Sequence, residues 1–304
     1  MSDSTSHPTV ARVMDVDRCH VESWTTDECA RRLLARGHRV HQHDGVWWQS
    51  VRTDFCWPID WSSPLRAGPQ PSWRHAKVGF QHVVADAAEG NSYLNPMVLD
   101  LAQGYGLEKL GSLRRNRTRK GLRSVTVAPI TDGSPMIEDG FAIAVEFHER
   151  TQWGQAPNRA VWQARYENYP PDPAIDHLLG AFADGRLVAF MTWRGINRTA
   201  DLCAINSGAQ GFALCANDAL LHCWVMMVQH SGLYDRVVYT VRSFKPTLDA
   251  FKQSHLFIMR SLPARLRLNP LVRAGLRVWR PDYLERLVGL DSDGTARWLA
   301  RAKR

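Results

Sequence analysis

The sequence predicts a mixed α+β protein: a central, mostly antiparallel sheet with helices on its faces. Three observations predict it. Two Asp-Gly pairs, Asp44-Gly45 and Asp184-Gly185, each lie between apolar runs, which is a strong local hairpin signal. After the second hairpin, short apolar runs alternate with helix-period segments, as in βαβ units. Hydrophobic residues are 44% of the chain and charged residues 22%, enough apolar mass for a full core and too little charge for wholesale disorder.

The elements follow in order. Residues 1–12 are polar and read as a disordered N terminus. "TTDECARRLLARGH" reads as a helix that Thr25 or Thr26 can cap, with Glu28 in its first turn and Gly37 as its stop. "HRVHQHDGVWWQSV" is the first hairpin, and "WPIDWSSPLRAGPQPSW" is loop by its Pro, Gly and Ser content. "NPMVLDLAQGYGLEKLGSLRRNRTRKGLR" reads as helix broken at its glycines. "SVTVAPI" is a strand, and "SPMIEDGFAIAVEFHERTQW" a helix with apolar spacing at Ile137, Phe141 and Val145. A second helix, "RAVWQARYENY", precedes the hairpin "HLLGAFADGRLVAFMTWRG" and the strand "TADLCAINSGA". "NDALLHCWVMMVQHSG" is a helix opened by Asn217 or Asp218 and closed by Gly232. "DRVVYTVR" is a buried strand, "PTLDAFKQSH" a short helix with Pro246 near its start, and "LFIMRSL" a last strand. In "NPLVRAGLRVWRPDYL" a helix would place Arg273, Arg277 and Arg280 on one face and Val272, Leu276 and Trp279 on the other.

Composition then narrows the function. The net charge of +8 favours anionic partners: RNA, DNA, phosphorylated metabolites or anionic lipid heads. From Arg114 to Arg123 six of ten residues are basic and none is acidic. From Arg260 onward eleven Arg and Lys stand against four Asp and Glu. Each patch reads either as a phosphate-binding face or as a solvated or internally paired surface. Six scattered cysteines form no CxxC pair, so a zinc ribbon is not expected, and Cys203, Cys215 and Cys223 read as small core residues. His41 and His43 share one side of a strand but lack a third ligand, so no metal site is expected. Trp47, Trp48, Trp57, Trp61 and Trp73 crowd the first quarter, as core packing or as an aromatic wall for a ligand. The start has no apolar signal region and no apolar run reaches membrane length, so the expected setting is cytoplasmic. No GxSxG, HExxH or P-loop pattern supports a serine hydrolase, a zincin or an NTPase.

Five pieces, in this order, resemble the Fem-type (FemAB-like) branch of the GNAT acyltransferase superfamily: "LRRNRTRKGLRSVTV", "FHERTQWGQAPNRAVWQARYENY", "GAFADGRLVAFMTWRG", "CANDALLHCWVMMVQHSG" and "PTLDAFKQSHLF". The resemblance runs roughly from Leu110 to Arg267. It implies a GNAT-like catalytic domain over 110–268, a degenerate GNAT-like half over 13–109 and a basic helical extension over 269–304. It implies an N-acyltransferase, with donor and acceptor meeting where "TADLCAIN" and "RVVYTVR" splay apart. Ordinary members hold coenzyme A with an R/Q-x-x-G-x-G/A loop after the first of these strands. Here "SGAQGFALCAND" offers Gly208 and Gly211 but not the pattern.

The favoured donor is therefore aminoacyl-tRNA, as the Fem-type branch implies, with acyl-CoA or a carrier-protein thioester as the alternative. No tightly bound cofactor is expected. The acceptor would be the amine of a small metabolite, a peptide or a peptidoglycan precursor. By resemblance Lys252 would approach the acyl carbonyl, and Glu146, His148 or Glu149 could take the proton of the attacking amine. The spacing of Glu146 and Arg150 equally allows a plain ion pair. Trp153 could wall the pocket, and Asn206, Ser207 and Arg150 could hold substrate. Arg114, Arg115, Arg119, Lys120 and Arg123, with Arg273 and Arg277, would grip tRNA phosphates. Two readings lie outside this class: a non-catalytic nucleic-acid-binding protein, and a membrane-surface protein using the C-terminal amphipathic helix.

Overall fold

The computed structural model describes residues 21–290 except 67, 153–154, 170–174 and 244. In chain order its elements begin with α1 (Thr26–Ala35), β1 (Val40–His43), β2 (Val46–Arg52), β3 (Phe55–Pro58), β4 (Gly79–Val83), β5 (Ser92–Leu94) and β6 (Pro96–Asp100). Next come α2 (Ser112–Ser124), β7 (Thr126–Pro129), α3 (Phe141–Thr151), α4 (Arg159–Tyr166), β8 (His177–Ala183), β9 (Arg186–Ile196), β10 (Thr199–Ser207), α5 (Ala209–Ala213) and α6 (Ala216–Ser231). The chain closes with β11 (Arg236–Val241), α7 (Pro246–Ser254), β12 (Ile258–Met259), β13 (Leu262–Leu268), α8 (Pro270–Trp279) and α9 (Pro281–Val288).

The described residues form two compact units. One is Asp100–Val237 with the residues up to Ser23; the other is Trp24–Leu99 with Val238 onward. In the first, β10, β9, β8 and β7 follow one another as antiparallel neighbours. The β8–β9 hairpin closes at Ala183 and Arg186 over Asp184 and Gly185, both with positive φ, as the Asp-Gly pair predicts. Helix α6 runs through this unit's core, with Leu220, Leu221, Trp224, Val225 and Val228 wholly buried. Its close neighbour is α2. A Cβ on Gly121 would lie 2.5 Å from the Cys215 carbonyl oxygen, so only glycine permits that approach. Gly232 ends α6 in the left-handed region, as the sequence predicts.

The second unit holds a six-stranded sheet in the order β1-β2-β3-β4-β13-β5, with one parallel pair, β3–β4, and a separate antiparallel pairing of β12 with β6. Thr25 caps α1 and Glu28 completes the capping box. Of the crowded tryptophans, Trp48 is wholly buried and Trp61 stacks on Trp57, while Trp73 is exposed.

Several expectations need correction. The segment predicted as helix broken at its glycines starts instead with a strand, β6, whose Met97, Val98 and Leu99 are all buried; α2 begins only at Ser112. A continuous apolar run has no period that separates a strand from a buried helix; here Met97 and Val98 pair with Met259 and Ile258 of β12, a partner far along the chain. The last strand predicted over "LFIMRSL" shrinks to two residues, and β13 follows it. Asn217 and Asp218 do not cap α6; the cap position is Cys215, in the left-handed region. On α3 the fully buried positions are Ile143 and Ala144, whereas Phe141 and Val145 are only half-buried. Cys203 is exposed rather than core. The C-terminal helix breaks at Pro281 into α8 and α9, and Trp279 is exposed.

Candidate functional site

Each unit carries one group of polar side chains around the residues singled out in the sequence. In the first unit the group gathers at the turn from β10 into α5. Glu146, on α3, accepts the Ala209 backbone N–H through Oε2 at 2.6 Å. Gly208 leaves the room for it, since a Cβ there would lie 2.9 Å from the same oxygen. Arg150, one turn along α3, donates from Nη2 to the Ser207 carbonyl at 2.9 Å and lies over the ring of Phe212. The ion pair that the spacing of Glu146 and Arg150 allows is thus replaced by two contacts to one turn. Ser207 is 1% exposed, and its Oγ accepts Asn217 Nδ2 at 3.1 Å. The structure therefore brings together Glu146, Arg150, Ser207 and Asn217, the last of which sequence reasoning assigned to capping. Asn206 sits beside them in β10, opposite Phe190 of β9. His148 is half-buried on α3 and Glu149 is exposed. Trp153 lies outside the described residues.

The second unit holds Lys252. It is 1% exposed. Pro246 at the start of α7 fixes where the helix begins, and so which turn carries Lys252 inward. Its Nζ donates to the Val241 carbonyl at 2.9 Å and to Thr240 Oγ1 at 3.2 Å, and lies 4.7 Å from the centre of the Tyr239 ring. Burial lowers its pKa from 10.5 to about 8, partly opposed by the Asp249 carboxylate on the same helix. Burial also pushes the Tyr239 hydroxyl up, so that neighbour stays neutral. Thr240 has φ +50°, rare for a β-branched residue, in the strand that offers both hydrogen-bond acceptors. No sequence signal announces that conformation.

The basic helix α2 divides its charges. Arg114 forms a charge-paired hydrogen bond with Asp218 of α6, which is 2% exposed, and Arg117 Nε lies 3.6 Å from the same carboxylate. Arg115 is half-buried, whereas Arg119, Lys120 and Arg123 are exposed. Lys120 Nζ donates to the Ala213 carbonyl at 2.9 Å. On α8, Arg273 is half-buried and Arg277 exposed. His41, discounted as a metal ligand, stacks on His75 at 4.0 Å, and burial, with His75 and His43 nearby, lowers its pKa to about 4.

No family model and no curated protein matches this chain. Solved structures do. The C-terminal domain (DUF2156) of a candidate lysylphosphatidylglycerol synthetase from Agrobacterium fabrum superimposes with a TM-score of 0.54 at 10% identity, over 87% of this chain and 98% of that one. FemX superimposes with a TM-score of 0.53 at 8% identity, over 82% of this chain and 92% of its own. The chain shares its fold with FemX and with that synthetase domain. The turn from β10 into α5, with Gly208 in it and Gly211 just after, is the one that Glu146 and Arg150 grip. No helix among the described residues is long and apolar enough to cross a membrane.

Proposed function

We propose that the protein is an N-acyltransferase that takes its acyl group from aminoacyl-tRNA and forms an amide on the amine of a small metabolite, a peptide or a peptidoglycan precursor. The observation that carries this reading is the Glu146 carboxylate on the Ala209 N–H. Coenzyme A-dependent proteins of this fold lay a pyrophosphate against a helix start in that region, where backbone N–H groups and the helix dipole receive negative charge. Here the chain's own carboxylate takes that N–H. A pyrophosphate would meet like charge and an N–H already spent. An aminoacyl ester presents its phosphates along a separate arm, which suits the exposed Arg119, Lys120 and Arg123.

In the reaction the acceptor nitrogen attacks the ester carbon. A C–N bond forms, the C–O bond to the tRNA ribose breaks, and the proton lost by the amine ends on the departing ribose oxygen. Lys252 supplies an ammonium N–H to the oxygen that becomes negative in the tetrahedral intermediate, a contribution of a few kcal/mol in a water-poor site. The test offers purified protein and a panel of amines either labelled aminoacyl-tRNA, intact or ribonuclease-treated, or labelled acetyl-CoA. The expected product is an amide formed only from intact aminoacyl-tRNA. Transfer from acetyl-CoA with no need for RNA overturns the reading.

A further inference from the structure

Helix α8 carries a strongly divided surface inside its own unit. Leu271 is 82% exposed, Val278 74% and Trp279 80%, which is unusual company for three large apolar side chains on ten residues. At about 100° per residue Leu271 and Val278 fall on one line, with Trp279 at its edge and only Ala274 and Gly275 between. The opposite side faces inward, where Leu276 packs against the buried cluster of Phe55, Leu266, Leu268, Leu284 and Val288. On the flank beyond Ala274, about 100° round from Val278, stands the exposed guanidinium of Arg277, while half-buried Arg273 and, at the C-cap, Arg280, which pairs with Asp282, lie on the side away from the apolar line. The helix contains no acidic residue.

We propose that α8 docks the protein flat on an anionic lipid surface. Leu271, Val278 and Trp279 enter the boundary between head groups and acyl chains, and Arg277 meets a lipid phosphate. A tryptophan at one edge of an apolar face and an arginine at the other suit that boundary, since an indole ring is apolar in body and polar at its N–H. Two other occupants fit less well. RNA would use the arginines and could stack on Trp279, but it has nothing to offer Leu271 and Val278. A stable protein interface needs about 20–30 residues a side, and this line is far smaller. A lipid surface asks only for one face with a basic edge, and one short helix then gives weak, reversible binding. The inference does not depend on which acyl donor the protein uses.

The test is flotation of the full-length protein with vesicles of phosphatidylcholine containing about 30% phosphatidylglycerol, beside vesicles of phosphatidylcholine alone. The expected result is flotation with the anionic vesicles only, weakened by added salt. Leu271→Ser with Trp279→Ser should weaken it about tenfold, and Arg277→Glu by a similar factor, with unchanged melting temperatures. Failure of the full-length protein to float overturns the proposal, as does equal flotation of the double variant. So does binding confined to RNA, or a dimer in sedimentation that the double substitution dissolves. If a chain ending at Leu290 floats while the full chain does not, residues 291–304 are the occupant and the proposal likewise fails.

Discussion

A lysine amine that is 1% exposed sets two requirements against each other. The fold disfavours its charge, while the proposed transfer uses that charge. Burial brings the folded pKa to about 8, below the ordinary 10.5, so between those values the unfolded chain binds more protons than the folded one. The fold therefore gains stability as pH rises from about 8 toward 10.5, and the full penalty of burying an ammonium applies below pH 8. The rate should move the other way. An ammonium that donates to an oxyanion is lost above pH 8, so the initial rate falls by about tenfold per pH unit there while the melting temperature climbs. Lys252→Met should flatten the extra rise in melting temperature and cut transfer about a hundredfold at pH 7. Its stability at pH 7 should fall by no more than about 1 kcal/mol, because the relieved desolvation offsets the lost hydrogen bonds to Val241 and Thr240. A variant that keeps full transfer with the wild-type pH profile would reduce Lys252 to a packing residue.

At the scale of elements, α2 and α6 carry the tightest helix contact, and two local features hold it. Gly121 lets the α2 backbone approach Cys215, and Asp218 draws in Arg114 and Arg117. Gly121→Ala must move a backbone oxygen and should cost about 2 kcal/mol in urea unfolding. Asp218→Asn leaves a nearly buried guanidinium without its counter-charge and should cost about 3 kcal/mol. Because both act on one interface, their sum should miss the double variant's value by more than about 0.5 kcal/mol. The same pair of helices shows what a sequence can and cannot disclose. That α2 is a helix and basic is local information, and so are both Asp-Gly hairpins, the Thr25 capping box and the Gly232 stop. That two of its arginines serve Asp218, about a hundred residues further on, is a tertiary fact that no local pattern carries. Strands β4, β6 and β13 escape for a related reason: their antiparallel partners lie far away in the chain. Lys252 is legible through resemblance, but its burial and the left-handed Thr240 beside it are not. Glu146 is legible as a helix carboxylate, and its hold on the Ala209 N–H emerges only once β10 is folded beside α3.

For the whole molecule, the net charge of +8 overstates what is open to an anionic partner and says nothing of where it sits. Asp218 internalises Arg114 and Arg117, Arg186 pairs with Asp139, Arg194 with Asp176 and Arg198 with Asp235. The exposed cations left on α2 are Arg119, Lys120 and Arg123, and Lys120 also reaches the Ala213 carbonyl. If these grip a tRNA, each phosphate they neutralise releases counterions, and the logarithm of the binding constant falls with the logarithm of salt by about 0.7–0.9 per contact. Replacing Arg119 and Arg123 together by Ala should reduce that slope by about 1.4–1.8 and weaken binding at low salt, with the melting temperature unchanged because neither is buried. Arg114→Ala should do the reverse: it loosens the fold through Asp218 and leaves the slope of the remaining folded protein nearly intact. Filter binding of labelled tRNA across a salt series, run beside thermal melts, separates the two. A slope that survives loss of Arg119 and Arg123 would move the polyanion site off α2 and leave its positive charge as a solvated helix face.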